Sequence, residues 1–563
     1  MQRFLYSVLK NFALEKPFMY KNSHDGQMSI YDFILPFGGQ LDKNNRWVKL
    51  RNRINWSMIN DEYEKNFGNK TTGNVTFPVD VAFGSLYIQR RFGFTDRELV
   101  EQISENPYFQ YFLGFKEFIR EKPYDPSLLV TFRKRLNGEV MDRIIEKMFI
   151  DEARDDDESN NDGSGSAGGD GNSNNAEGKG TAKDESTDSE SQKKSSCEDT
   201  ADGSKKGAGN HNHGTLIIDA SCLPADIAFP TDLELCDKAR RWTEIIIDHY
   251  WKLVCLEENS SEGKENKPRT YREVARRRFL KLNKRRKKTA KKIRKEIRYQ
   301  LGCIKRNISY ITDFAARFGY DVLLKVERLR LETITAFYDQ QISMLENKTH
   351  IVADRIVSLS QPWVRPIVRG KSKAPTEFGA KISISVVNGY VFIDKISFDA
   401  YNEGEHEEFK MAIEKYKGRF GYYPERVLAD KIYRSKNNRA YCKEKGIRMS
   451  GPKLGRPGKD NADEIRQELK EIGERNAVEG KFGNGKRKLS LDLIMGKLKE
   501  TSGSMAGMDF FIMNMERLLR QEALFLYNFF KNTVFESLIR FFERTYVYIF
   551  GVSRVKLVLF SKP

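Results

Sequence analysis

The chain runs to 563 residues, 39% of them hydrophobic, and carries a formal net charge of +18. That length and apolar content suffice for several domains with real cores, and the charge calls for a polyanionic partner before it argues for any fold. The six cysteines (Cys197, Cys222, Cys236, Cys255, Cys303, Cys442) are far apart and form no CxxC pair, which argues against a zinc module or a disulfide framework and fits a reducing cytosol. Lys10, Glu15 and Lys16 interrupt the first apolar stretch, so no signal peptide is expected. No run approaches the roughly 18 apolar residues of a membrane span. The expected setting is cytoplasmic and nucleoid-associated, with no membrane partner.

Residues 1–75 read as an aromatic and basic lead-in, with Phe33, Trp47 and Trp56 beside Arg46, Lys49, Arg51 and Arg53. Residues 76–150 read as short helices forming an all-α domain. Thr95-Asp-Arg-Glu98 is a capping box that opens a helix through Leu99 and Ile103. A second helix starts near Ser127 and turns Leu128, Leu129, Phe132 and Leu136 inward, with Arg133, Lys134 and Arg135 outward. A helix pair with a basic outer face suits entry into a DNA major groove, and an ordinary helical domain with a solvated face suits the pattern as well. Residues 151–213 contain no Leu, Ile, Val, Met, Phe, Tyr or Trp and carry 16 acids against 7 bases. Such a composition buries too little apolar surface to offset ordering entropy, so a disordered acidic linker is expected.

The next stretch, 214–231, holds a first core strand whose run Leu216-Ile-Ile-Asp219 ends on a carboxylate. Residues 232–350 read as a basic helical insertion without strand alternation. Between 351 and 500, Ile382, Ile384 and Val386 alternate with polar residues, Asn388-Gly389 marks a hairpin, and Tyr390–Phe398 returns as a strand. A helix near Glu405–Arg419, a strand 426–430 ending on Asp430, and a helix with Ile465, Leu469 and Ile472 at helical spacing follow. This order predicts an α/β fold with a ribonuclease-H-like core, a mixed sheet flanked by helices. Residues 501–563 read as closing helices, with a strand at Val555–Phe560.

Three acids stand at corresponding places in that core: Asp219, Asp430 and Glu479. Carboxylates on core strands, joined by one on a packed helix, suit two Mg²⁺ ions (Mn²⁺ substituting) held over a phosphodiester. Each acid taken singly is as well explained as a strand-end or turn residue. Asp226 and Asp232 compete for the first role, Glu471 and Glu474 for the third. Arg475 lies four residues before Glu479, on the same helix face, and Lys486 extends that face if the helix runs through Gly480, Gly483 and Gly485. Residues 272–298 hold fifteen Lys or Arg against Glu273 and Glu296; read as one helix of roughly 40 Å, they would track DNA phosphates through Arg285, Lys288, Lys292 and Lys295. Arg365, Arg369 and Lys371 form a second basic loop before the hairpin.

The Arg475-x3-Glu479-x6-Lys486 spacing is similar to the signature of bacterial insertion-sequence DDE transposases. Together with Ile88-Gln-Arg-Arg-Phe-Gly-Phe-Thr-Asp-Arg-Glu-Leu-Val-Glu-Gln102, Asp219-Ala-Ser and Leu428-Ala-Asp-Lys-Ile-Tyr433, it resembles the group with an InsH-type N-terminal domain. The resemblance implies that Asp219, Asp430 and Glu479 are a metal-binding catalytic triad and that Arg475 and Lys486 contact DNA. With Lys481, Arg133 and Arg135 added as DNA contacts, the implied activity is binding of terminal inverted repeats, cleavage, and joining of 3′-hydroxyls to target DNA, by a homodimer in the paired-end complex. A catalytically silent DNA-binding protein and a Mg²⁺-dependent nuclease on the same core are the alternatives. The chain departs from the wider pattern at Ile472, where a Tyr is usual, and in carrying its large insertion after the first strand.

Overall fold

The computed structural model describes residues 29–35, 39–67, 76–159, 212–258, 266–368, 376–399, 401–451 and 462–550. Seven helices open it: α1 (Arg46–Arg53), α2 (Trp56–Glu64), α3 (Val79–Phe92), α4 (Asp96–Glu105), α5 (Pro107–Phe112), α6 (Leu128–Arg135) and α7 (Gly138–Ser159). Their starts are written in the sequence. Asn45, Asn55 and Asn106 accept from the first free N–H groups of α1, α2 and α5. At α4 the Thr95 N–H donates to Glu98 Oε2 at 2.9 Å while the Glu98 N–H donates back to Thr95 Oγ1. Helix α7 continues to Ser159, past the expected boundary at 150. Ala153 is buried there, and its carbonyl accepts from Asn388 Nδ2 at 2.7 Å. The rest of the acidic segment, 160–211, lies outside the described residues, as does the expected strand at Val555–Phe560.

The sheet begins with β1 (Thr215–Pro224). Before the next strand the described chain is helical: α8 (Asp232–Glu258), α9 (Arg272–Asn283), α10 (Ala290–Phe318) and α11 (Lys325–Glu346). Then follow β2 (Arg365–Val368), β3 (Thr376–Val387), β4 (Tyr390–Ser397), α12 (His406–Phe420), β5 (Arg426–Leu428), α13 (Lys436–Glu444), β6 (Arg448–Met449), α14 (Ala462–Lys488) and α15 (Lys499–Phe550). The sheet is mixed. Strand β1 sits centrally, antiparallel to β3 and parallel to β5; β4 and β2 pair antiparallel with β3, and β6 lies parallel to β5. Asn388 and Gly389 both take positive φ, 46° and 78°, and make the tight turn between β3 and β4. The short strand β2 has no counterpart among the elements expected from the sequence.

The helices between β1 and β2 have cores of their own, one around Cys236, Ile304, Ile334 and Phe337 and one around Ile247, Tyr250 and Ile311. The expected single helix over 272–298 is two. It breaks at Lys284-Arg-Arg-Lys-Lys288, where neighbouring turns would stack like charges with no intervening acid. Helix α9 folds back on α10, with Arg278 paired to Glu296 at 3.1 Å and Gln300 Nε2 donating to the Ala275 carbonyl. The cations therefore gather at the tip of a helical hairpin.

The N-terminal helices share one hydrophobic core with the sheet. An aromatic path joins Phe83 of α3 to Phe511 of α15 (5.0 Å), Phe511 to Phe149 of α7 (5.3 Å), and Phe149 to Tyr390 of β4 (5.8 Å). Helices α7 and α15 cross so closely that a Cβ on Gly503 would stand 2.9 Å from the Gly138 Cα. Asn514 of α15 bonds both the N–H and the carbonyl of Val391, satisfying one residue of β4. Among the described residues no helix is long and apolar enough to cross a membrane.

Candidate active site

Strand pairing brings the first two acids together. Ile217 of β1 aligns with Leu428 of β5. Asp219 and Asp430 each stand two residues further on, so strand alternation puts both on the same face. Asp219 lies within β1 rather than at its end, opposite Ile384 of β3. Asp430 is exposed just past β5, where its Oδ1 accepts from the Lys431 N–H at 2.7 Å and caps a single 3-10 turn. The Asp219 Oδ1 likewise accepts from the N–H of Ala220, at 2.8 Å.

Helix α14 crosses this face. Arg426 of β5, on the same alternation as Leu428 and Asp430, pairs with Glu474 at 2.7 Å, and Arg448 of β6 pairs with Glu471. These two ion pairs account for the rival acids and seat α14, whose Val478 and Phe482 enter the core. The helix continues through its glycines to Lys488. Gly485 eases the packing there: a Cβ would lie 2.9 Å from Leu491 Cδ2 and 3.1 Å from Met513 Cε, so those side-chain ends would have to shift. Arg475, Glu479 and Lys486 therefore share one stripe, within roughly 40° of each other around the axis. Glu479 is exposed and pairs with Arg475 at 3.4 Å. The period of Ile465, Leu469 and Ile472 is helical, but their face is open to solvent rather than packed.

Tyr433, buried beside this site, is not singled out by the sequence. Its hydroxyl is pushed well above the usual tyrosine range by burial and then by the charge of Asp219, with Glu403 adding to it. Lys381 of β3 pairs with Glu403 and donates to the Tyr401 carbonyl at 2.9 Å. Nothing in sequence spacing joins these groups; β1, β3 and the turn after β5 do so only in the fold. Hard carboxylate oxygens suit a divalent cation in their chemistry. Glu479 is held toward Arg475, and among the described residues no three His, Cys, Asp or Glu side chains form a group that could hold a metal ion.

Comparison with known proteins bears on the same segments. A family model described as a transposase DDE domain matches residues 427–516, from within β5 through Asp430, α14 and Glu479. A second, described as a transposase domain (DUF772), matches residues 36–135. Two separate segments of the chain thus match transposase domain models. It is also 29% identical over 98 residues to a Rhizobium meliloti protein described as uncharacterized protein ORF8 in the nfe locus; the match covers 17% of this chain and 46% of that protein, so the chain spans a little under half the length of the curated relative it matches. No solved structure matches. DDE transposase families are DNA transposases, that is, polynucleotidyl transferases.

The expected DNA contacts separate into distinct settings. Arg285, Lys288, Lys292 and Lys295 are all exposed at the hairpin tip and along the start of α10. Arg133 is the reverse of expectation: it is buried, in a two-pronged pair with Asp96 at 2.5–2.6 Å. Helix α6 shows Arg133 to α4 because Leu129 and Phe132 set which side is covered. Arg135 bonds Thr76 and lies over the Phe67 ring, 4.6 Å from its centroid. Arg365 is occupied on β2, donating to the Pro362 carbonyl at 2.6 Å and pairing with Asp354 at 3.5 Å. Arg369 and Lys371 lie outside the described residues. Lys481 stands on the flank of α14 away from Glu479, beside Arg517 and Arg520.

Proposed function

We propose that this chain is a DNA transposase that binds the terminal inverted repeats of its own element, cleaves the ends and joins the 3′-hydroxyls to target DNA. The observation that carries the reading is the strand pairing of β1 and β5, which sets Asp219 beside Asp430 on the face crossed by the Glu479 helix. That order of strands and helices is consistent with a ribonuclease-H-like core. Asp219, Asp430 and Glu479 would hold Mg²⁺, with Mn²⁺ able to substitute, and two such ions would supply Lewis acidity at the attacking and leaving oxygens. Releasing Glu479 from Arg475 would let the third carboxylate join the strand pair and leave the guanidinium for a DNA phosphate. Arg475 and Lys486, on one stripe, would position the end beside the acids. A homodimer would bring two ends together.

The hairpin tip supplies affinity without base identity, because phosphates carry none. Exchanging Arg285, Lys288, Lys292 and Lys295 for Gln is expected to lower the slope of log K against log salt by roughly 0.9 for each phosphate left without its cation. Discrimination between end DNA and random DNA should hardly change. Duplex titrations over a salt series check both halves, and an unaltered slope would return the tip to a solvated surface. In a strand-transfer assay, end DNA joined to a circular target supports transposition, while hydrolysis without joining would leave a nuclease.

A further inference from the structure

A second basic feature lies on the other side of α14. Two residues on from Glu479, Lys481 stands roughly 160° around the helix from it. There a cavity of about 260 Å³ opens between α14 and α15, lined by Lys481, Asn484, Lys488, Arg517, Arg520 and Gln521. Four cations meet one lining carboxylate, Glu516, which is already shared between Arg91 at 2.9 Å and Arg520 at 3.6 Å. Lys481 has no carboxylate partner among the described residues. Its ammonium is pushed down to about 8, first by burial and then by Arg517 and Arg520. Lys481, Lys488, Arg517 and Arg520 crowd a half-covered space that offers a single lining carboxylate among the described residues, and every lining polar group that is not acidic can donate hydrogen bonds.

We propose that this cavity binds a backbone phosphate of DNA, separate from the phosphodiester at the acids. The proposal rests on the transposase reading and adds to it a second point of strand contact. Guanidinium, ammonium and amide donors suit phosphate oxygens, and the volume admits one phosphate group rather than a base pair. Because the site sits on the opposite flank of the helix that carries Glu479, a strand held there and a strand held at Arg475 and Lys486 would clamp α14 from two sides. An inorganic phosphate ion offers the same chemistry, so the test separates the two sources.

The experiment titrates a labelled random duplex with the full chain over a salt series. It compares the unaltered protein, a variant carrying Lys481→Gln, Lys488→Gln and Arg520→Gln, and the hairpin-tip variant. Arg517 is left in place because it lies 5.1 Å from the centroid of the Tyr390 ring and against Gly389. The cavity variant is expected to lose about 0.9 of slope, the value of one phosphate. The single variant Lys481→Gln, whose fold is least at risk, should bind more weakly than the unaltered protein below pH 8. The difference should fade as pH rises through 8, because Lys481 then gives up its proton in the unaltered protein. If the hairpin-tip variant loses slope and both cavity variants do not, the cavity assignment is overturned and the transposase reading stands. If the unaltered protein binds no duplex, both fall. If inorganic phosphate at matched ionic strength raises the melting temperature of the unaltered protein alone, while DNA slopes stay equal, the site takes a free anion and the DNA assignment is wrong.

Discussion

Replacing Asp430 with alanine is expected to abolish strand cleavage and joining in Mg²⁺ or Mn²⁺ while leaving duplex affinity within about twofold. The expected loss exceeds the roughly 10–100-fold that removal of an outer-shell partner of a metal site costs, because Asp430 would be a direct ligand. Affinity should persist because the substitution removes no cation from the hairpin tip, from α14 or from the cavity beyond it. The fold should persist as well: Asp430 is exposed, and its bond to the Lys431 N–H caps only a three-residue turn. Asp219→Ala and Glu479→Ala should behave alike in cleavage. Gel assays of end cleavage beside duplex titrations read both quantities. Normal cleavage by the Asp430→Ala protein would remove this residue from the site.

The second large effect lies far from the acids. Arg90 of α3 is buried and grips Asp509 of α15 through Nε at 2.7 Å and Nη2 at 2.6 Å, and the same Nη2 donates to the carbonyls of Leu489 and Ser490. Burial pushes the Asp509 carboxyl up, and Arg90 pulls against that shift. Arg90→Met would strand a buried carboxylate and leave the carbonyls after α14 without their donor. The expected cost is roughly 3–5 kcal/mol, a large part of the roughly 5–15 kcal/mol that holds an ordinary domain together. Adding Asp509→Leu should recover much of the loss, because two apolar side chains can replace a buried pair. Denaturant midpoints check this, and an Arg90→Met protein that unfolds with the unaltered chain would show that α3 and α15 do not depend on the pair.

The same pair marks where sequence reading stops. Local signals are legible: the Thr95–Glu98 cap, the Asn388-Gly389 turn, and the alternation of Ile382, Ile384 and Val386, all buried on β3. These depend on neighbours within a few residues, so the sequence states them directly. Which side of a helix is covered depends on distant elements, and there the local pattern is a poor guide. Arg133 is expected outward and is buried; Ile465, Leu469 and Ile472 keep the helical spacing read from the sequence, yet are exposed. The N-terminal helices read as a separate domain because nothing local links Arg90 to Asp509 or Phe83 to Phe511. Fifteen cations in one run imply a single helix, yet their mutual repulsion accounts for the break that makes the hairpin. The glycines of α14 look like helix breakers, whereas Gly485 permits the close approach of Leu491 and Met513.

At the candidate site, Asp219, Asp430 and Glu479 can be picked out from the run endings and the helix signature. Their neighbours cannot. Tyr433 feels the charges of Asp219 and Glu403, Lys381 pairs with Glu403, and Arg426 and Arg448 seat α14 through Glu474 and Glu471. Glu471 and Glu474 pair with strand arginines, whereas Glu479 pairs with Arg475 of its own helix.

If three carboxylates from β1, the end of β5 and α14 serve one metal site, iron-directed backbone cleavage reads it without relying on transposition. Fe²⁺ added in place of Mg²⁺, with ascorbate and peroxide, generates hydroxyl radicals that cut the chain near the bound ion. The expected result is three groups of cuts, around residues 219, 430 and 479, all lost together in the Asp430→Ala protein and suppressed by excess Mg²⁺. Cuts around one of the three positions alone, or cuts that survive Asp430→Ala, would contradict a shared site.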